Sequence, residues 1–536
     1  MPQHSCYVYV SSRASVDPVK TVIVCPPEEN AQTVEDAERF ARASGWVDAV
    51  EADASVLVVA IAPEGWDAVP ADLPYRLYQE NRRSFKSSGT GSAAAGGSLW
   101  AWETLIYLVG YADGATFAGN FQLSCPGFAA ASVLVDGSPT NIAVLDEPSI
   151  HWLVSQPRDY AAKNRDIPMS VWFMGEGDSV AMREHVLAVD HAVPVREIEV
   201  AGRHTEVFEN PKNAGIQMRV TPELTGAAPA IAAAGIDFFC RVIRWKNAPD
   251  GTLALRRTKE EFYHDGTYYH DEVEHGGEHY HYAVYLPRGY TRIQARGLAL
   301  VISIHGRGEP TWIFSAKNGW EDLADETRAF VLMLPDSPGN VWSEQRDAPA
   351  LIKMIGQTID SFGLCRERTY ITGFSNGAVF TCQMASLHPE YFTAASPWNG
   401  PCLEAIISSG LGRFIFAPDF SNKGYDVPFW IACGDADDKA GELEPDEVQK
   451  VLSANGCDAA VGEELDAHAF YTPDKGYAQG DRFSTVEYRN EAGVVMVSST
   501  RMKNMPHGAI ADEARAAWEF MKRFRRPVGA RRVEVV

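Results

Sequence analysis

No run of about 18 apolar residues occurs in this chain, so no membrane-spanning helix is expected. The opening residues, MPQHSCYVYVSSRASVDP, lack a basic stretch followed by an apolar one, so no signal peptide is expected either. Cysteine is scarce, nine in 536 residues, and no C-x-x-C pair occurs. Cys25 in TVIVC and Cys433 in FWIAC lie inside apolar runs. That pattern fits buried thiols in a reducing compartment better than a disulfide framework, and the cytoplasm is the expected location. Basic residues are also in deficit. Lys and Arg total 48 against 71 Asp and Glu, a formal net charge of −23. An acidic surface repels nucleic acid and anionic lipid, so neither is an expected partner. His264, His270, His275, His279 and His281 cluster in sequence. Their spacing follows a turn and two strands, not the H-x-x-x-H face of a metal-binding helix, so no metal is expected.

What is present begins with size. A chain of 536 residues exceeds one hydrophobic core and points to two large domains. Sliding the sequence on itself by 263 residues superposes GYADGATFAGNFQLSCPGFAAASVLVDG (110–137) on GFSNGAVFTCQMASLHPEYFTAASPWNG (373–400) without a gap. Glycines 110, 114 and 137 meet 373, 377 and 400, and VWFMGEGD (171–178) resembles FWIACGDAD (429–437) in the same order.

Each half alternates apolar strand-like runs with amphipathic segments. In the second half GLALVISIHG, FVLMLPD, TYIT, VPFWIAC and AGVVMVSSTRM read as strands. WEDLADETRAF, APALIKMIGQTIDSFG and ADEARAAWEFMKRF read as helices. In the first half KTVIVCPP, ASVLVVAIAPE, ETLIYLVGYADGA and MSVWFMGEGD keep the same rhythm. The expected class is α/β: two tandem domains, 1–248 and 259–536, each a mostly parallel sheet flanked by helices. DEVEHGGEHYHYAVYLPRGY is expected to open the second domain as a hairpin turning at His275–Glu278. SSGTGSAAAGGS (87–98) reads as a loop.

Between a strand and a helix start, GFSNG matches G-x-S-x-G. Glycines there let two segments approach closely around a strained serine, and the turn lifts Ser375 above the sheet. A serine nucleophile needs a base and an acid that orients it. Downstream, Asp435, Asp437 and Asp438 follow the strand VPFWIAC, and Asp437 is preferred. Of the two later histidines, His507 in NMPHGA sits between the last strand and the closing helix, where a base belongs, and His468 reads as a surface residue. Charge developing on an acyl oxygen needs two N–H donors. The amide of Asn376 follows the nucleophile, and the amide of Arg307 lies in the loop His305–Gly306–Arg307–Gly308. Trp312, Phe314 and Trp398, with His305 and Gly306, are candidates for lining a substrate pocket.

Taken in order, YAVYLPRGY, LVISIHGRG, GWEDLADE, FVLMLPD, RTYITGFSNGA, HPEYFTAASPWNG, GDAD and PHGA resemble the poly(3-hydroxybutyrate) depolymerase and feruloyl esterase-like group of α/β-hydrolases. The resemblance runs from about 280 to 525. It implies a serine esterase acting through Ser375, His507 and Asp437 on a small or oligomeric ester of hydroxyalkanoate, feruloyl or acetyl type, with no cofactor. Where that group often has Cys-Gly after HG, this chain has Arg307-Gly308. A serine peptidase or amidase, and a non-catalytic two-domain binding protein, are the competing readings.

The first half carries Ala112 where the serine would be, and Cys25-Pro26-Pro27-Glu28 in place of HGRG. Proline has no N–H to donate, so hydroxyl and oxyanion donor are both missing. Asp178 and His204 stand near the expected acid and base positions. Residues 1–248 are therefore expected to be a degenerate, inert copy with a structural role, self-association among the options.

Overall fold

In the computed structural model the described residues are 5–14, 19–81, 101–149, 163–245, 252–400, 422–434, 437, 445–466, 483–502, 505 and 507–536. They form two compact units, Met1–Arg256 and Arg257–Val536. The first unit reaches beyond 248 because β11 (Thr252–Leu255) pairs antiparallel with β10 (Val242–Trp245).

The first unit's main sheet contains β1 (Cys6–Val10), β2 (Val19–Cys25), β3 (Val56–Ala60), β4 (Ala101–Tyr111), β5 (Ala131–Val135), β6 (Val171–Met174), β7 (Val193–Val200), β8 (Arg203–Asn210) and β9 (Asn213–Thr221). Their spatial order is β1-β3-β2-β4-β5-β6-β9-β8-β7. The second unit has β12 (Tyr269–His275), β13 (Glu278–Tyr285), β14 (Ala299–Ile304), β15 (Phe330–Pro335), β16 (Thr369–Phe374), β17 (Ala394–Trp398), β18 (Phe429–Gly434), β19 (Cys457–Asp466), β20 (Phe483–Asn490) and β21 (Val495–Met502). Their order, β12-β13-β15-β14-β16-β17-β18-β21-β20-β19, repeats the first sheet after one extra edge strand. The central strands run parallel, and antiparallel strands close both edges.

The 263-residue register seen in the sequence is also a backbone register. Ala112 N donates to Val135 O at 2.9 Å, and Ser375 N to Trp398 O at 3.0 Å. Ala130 N donates to Ile106 O, and Thr393 N to Thr369 O, both at 2.7 Å. In each case donor and acceptor shift by the same number.

Local chemistry accounts for the elements. Strands β14, β15 and β16 are buried at every position, which is why they read as unbroken apolar runs. The hairpin β12–β13 turns where expected: His275 faces Glu278 across Gly276 (φ 63°) and Gly277 (φ 85°), a two-residue turn that needs positive φ. Helix Glu344–Phe362 stops at Gly363, left-handed at φ 65°. None of the eight described cysteines is in a disulfide. Among the described residues no helix is long and apolar enough to cross a membrane. The loop expected at 87–98 lies outside the described residues.

Candidate active site

Ser375 stands between β16 and the helix Asn376–Leu387, with φ 56° and ψ −120°. A non-glycine residue held there stores on the order of 1–3 kcal/mol of strain, which the surroundings must over-determine. They do so through close packing. A Cβ on Gly377 would lie 2.4 Å from Ile304 O and 2.6 Å from His305 O, and one on Gly373 would lie 2.3 Å from Gly377 O. The helix start is thereby pressed against the end of β14 and the loop that follows it.

The hydroxyl points at an imidazole. His507 Nε2 lies 2.9 Å from Ser375 Oγ, and His507 Nδ1 lies 2.7 Å from Asp437 Oδ2. Asp437 follows β18, and His507 follows β21, the strand beside it. Asp437's side chain is 1% exposed and His507's 16%, so the carboxylate is shielded while the ring stays reachable. The three groups called from sequence are brought together in one row. Asp435, Asp438 and His468 lie outside the described residues.

Gly377, next to Asn376, packs against Ile304 O and His305 O, at the start of the loop that carries Arg307. Flanking Arg307, Gly306 N donates to Glu309 Oε2 at 3.3 Å and Gly308 N donates to Asn340 O at 2.7 Å. Their engagement fixes the loop while leaving the Arg307 amide between them. Asn376 precedes the first helical bonds, which Ala378 N and Val379 N make to Ser375 O. Its side chain is committed to Trp342, accepting from Trp342 N at 2.7 Å and donating to Trp342 O at 3.2 Å. Only its backbone remains for a ligand. The Arg307 side chain is exposed.

Sequence reasoning missed the buried groups that hold this loop. Glu309 pairs with Lys317 at 2.9 Å, both nearly inaccessible. Lys317 Nζ stands 3.8 Å from the Phe374 ring centroid, and that ring lies 5.0 Å from His507's. Asp336 receives Thr311 N at 3.0 Å and faces His281 (3.5 Å) and His305 (3.7 Å). Burial pushes the Asp336 carboxyl up, but the nearby His281 and His305 rings and the Thr311 hydroxyl outweigh it and hold it below the usual carboxylate range. Only the burial of Glu309 would have signalled such a role, and burial is not visible in sequence.

The pocket candidates fare differently. Phe314 and Trp398 are fully buried. Trp398 stacks on Trp320 at 5.9 Å and donates to Ser396 Oγ, so it is core. Trp312 is 7% exposed, and His305 is inaccessible, its Nδ1 turned to Gly306 O and its ring against Trp342. These four side chains offer almost no surface to a ligand. Gly306 is also buried, and its amide is engaged by Glu309 Oε2. Among the described residues, no group of three or more His, Cys, Asp or Glu could hold a metal. His270 and His281 face each other at 3.0 Å across the β12–β13 hairpin.

In the first unit Ala112 occupies the same elbow, at φ 48° and ψ −117°, before the helix Asp113–Ser124. A Cβ on Gly114 would lie 2.3 Å from both Cys25 O and Pro26 O. The close approach is kept without the hydroxyl. His204 is not at the base position. It lies exposed on β8, 4.0 Å from Glu197, because 193–221 fold as the β7–β8–β9 meander. The strand that matches β21 is β9, and the loop after it, PELTGAA (222–228), has no histidine. Asp178 does follow β6, exposed to solvent.

A strained serine on a strand-to-helix turn, in line with histidine and aspartate from neighbouring strand ends, defines the α/β-hydrolase arrangement. No family model matches the chain. Feruloyl esterase B of Neurospora crassa is 27% identical over 116 residues, covering 19% of this chain and 39% of its own. Probable acetylxylan esterase A of Neosartorya fischeri is 26% identical over 138 residues, covering 24% and 36%. Poly(3-hydroxyalkanoate) depolymerase C of Paucimonas lemoignei is 22% identical over 250 residues, covering 41% and 56%. The chain thus spans between about a third and just over half of the length of these relatives. An acetyl xylan esterase structure from Aspergillus awamori overlays 45% of this chain and 94% of its own, with TM-score 0.34 and 15% identity. The proteins this chain is similar to are thus named as esterases and a polyester depolymerase.

Proposed function

We propose that the second unit is a serine carboxylic ester hydrolase. The observation that carries this is the unbroken row Ser375 Oγ–His507 Nε2 and His507 Nδ1–Asp437 Oδ2. Ser375 attacks the ester carbonyl while His507 takes its proton. Asp437 holds the imidazole in the tautomer that accepts at Nε2 and stabilises the imidazolium that forms. The Arg307 and Asn376 amides receive the oxyanion. His507 then protonates the departing alcohol, leaving an acyl ester on Ser375. Water, deprotonated by the same histidine, hydrolyses that ester and restores the hydroxyl. The relatives' names support a small or oligomeric ester of acetyl, feruloyl or hydroxyalkanoate type as substrate. The test is turnover of short p-nitrophenyl esters against the matching anilides and peptide amides. Esters are expected to be hydrolysed at least about a hundredfold faster. Amide turnover equal to or above ester turnover would make the chain an amidase instead.

The first unit, in this reading, is non-catalytic. Its elbow lacks a nucleophile and no histidine follows β9 within the unit. The proline expectation is corrected: the Gly114 and Gly377 contacts match Pro26 and Pro27 to His305 and Gly306, so Glu28, which keeps its N–H, stands at the Arg307 position. Restoring the hydroxyl alone should therefore restore nothing. Ala112→Ser in a Ser375→Ala background is expected to stay unreactive toward a fluorophosphonate probe. Labelling at residue 112 would show that a base and oxyanion donors survive there.

A further inference from the structure

We infer that Asn399 is a positioning residue for the His507–Asp437 pair, an inference that rests on the serine hydrolase reading. Asn399 follows β17 at φ 43°, a left-handed conformation that asparagine tolerates better than most side chains. Its side chain is fully buried. Its Oδ1 accepts from Gly434 N at 2.7 Å, and its Nδ2 donates to Gly508 O at 2.8 Å and to Glu513 Oε1 at 3.1 Å. Gly434 ends β18 three residues before Asp437, and Gly508 immediately follows His507. One amide therefore clamps the loop of the acid to the loop of the base. Glu513 extends the clamp: its other oxygen accepts from Ile510 N at 2.8 Å, at the start of the helix Ala511–Met521.

The first unit repeats the device with altered chemistry. Asp136, 263 residues earlier, follows β5 at φ 56°. Its Oδ1 accepts from Glu176 N at 3.0 Å, after β6, and its Oδ2 from Gly226 N at 2.9 Å, after β9. Both of those partners are donors, and a carboxylate suits two donors. In the second unit one partner is a donor and two are acceptors, a set that only an amide satisfies. Each side chain matches what its own loops present, so the bridge is a built feature of the frame. In the second unit it holds the separation on which the 2.7 Å contact depends.

Misplacement of a catalytic group by about 1 Å can cost roughly a hundredfold in rate. Asn399→Gly in the full chain keeps the positive φ and removes the clamp. Its kcat for p-nitrophenyl acetate is expected to fall at least about thirtyfold with KM changed less than about twofold, because ground-state contacts are untouched. The decisive readout is the cycle with Asp437→Asn. If Asn399 acts through the pair, Asn399→Gly adds less than about threefold once Asp437 is already disabled. Wild-type kcat in Asn399→Gly, or an equal cost in both backgrounds, overturns the inference, the second outcome reducing Asn399 to a fold element. Should Asn399→Gly fail to fold, the same cycle is run with Asn399→Asp. That variant keeps the Gly434 acceptor but sets an oxygen against Gly508 O and Glu513, and an equal or larger, still non-additive loss is expected. The parent reading fails separately: a wild-type chain that neither turns over the ester nor reacts with a fluorophosphonate overturns both. Ser375-dependent labelling with an unaffected Asn399→Gly overturns only this inference.

Discussion

Ser375→Ala is expected to lower kcat for ester hydrolysis by roughly 10⁴- to 10⁶-fold and to abolish fluorophosphonate labelling, while KM and melting temperature barely change. The loss is large because the nucleophile, base and acid act as one unit. Without Oγ there is nothing for His507 Nε2 to deprotonate toward the carbonyl, and only oxyanion binding to bound water remains. The unchanged stability has a specific warrant in this chain. Alanine at the elbow requires φ near +50° with a strongly negative ψ, and Ala112 already adopts φ 48° and ψ −117° in the first unit. The close contacts that enforce the turn involve Gly373 and Gly377, not the serine side chain. Circular dichroism melting, run beside the kinetic assay, checks both halves of the expectation. Residual kcat above about 1% of wild type would remove Ser375 from the mechanism.

How much of this was legible beforehand follows from where each residue's information lies. Strands β14, β15 and β16 are buried on both faces, so their apolar runs announced them. The hairpin at Gly276–Gly277 was equally plain, because two consecutive positive-φ positions demand glycine. The strand β7 was not. Its residues VPVREIEV are mostly exposed and include three charges, at the sheet edge, and neither burial nor an unbroken run marks it. Missing it placed His204 near the base position when it belongs to the neighbouring edge strand, β8.

At the site, Ser375, Asp437 and His507 were readable because each stands just past a recognisable strand, in the chain order the chemistry uses. Trp398 illustrates the opposite case. An aromatic residue beside a nucleophile is compatible with pocket or core, and only the stacking on Trp320 decides for the core. Asn399 was beyond reach for another reason. Its partners lie 35 and 109 residues away, so nothing near it in sequence marks its role. Glu309 and Lys317 are similar: ordinary charged residues in sequence, a buried pair only once the fold surrounds them.

Asp437→Asn should leave Ser375 in place and still lower kcat by roughly 10⁴-fold, a loss set by the tautomer and not by the nucleophile. Asp437 Oδ2 lies 2.7 Å from His507 Nδ1, a contact that requires the proton on Nδ1 and leaves Nε2 free to accept from Ser375. An asparagine amide turned with its NH₂ toward the ring reverses this. Nδ1 becomes the acceptor, Nε2 carries the proton, and the imidazole then offers Ser375 Oγ a donor where a base is needed. The volume is nearly conserved, so the loop after β18 keeps its place and KM should hold within about twofold. Burial makes the effect steep: with the Asp437 side chain 1% exposed, water has little access to substitute for the lost carboxylate. Labelling therefore separates the two substitutions. Ser375→Ala never reacts with the fluorophosphonate, whereas Asp437→Asn should react fully but slowly, since the hydroxyl remains and only its activation is lost. An Asp437→Asn chain that labels and turns over at the wild-type rate would move the orienting role to another group, and the 2.7 Å contact would then be structural.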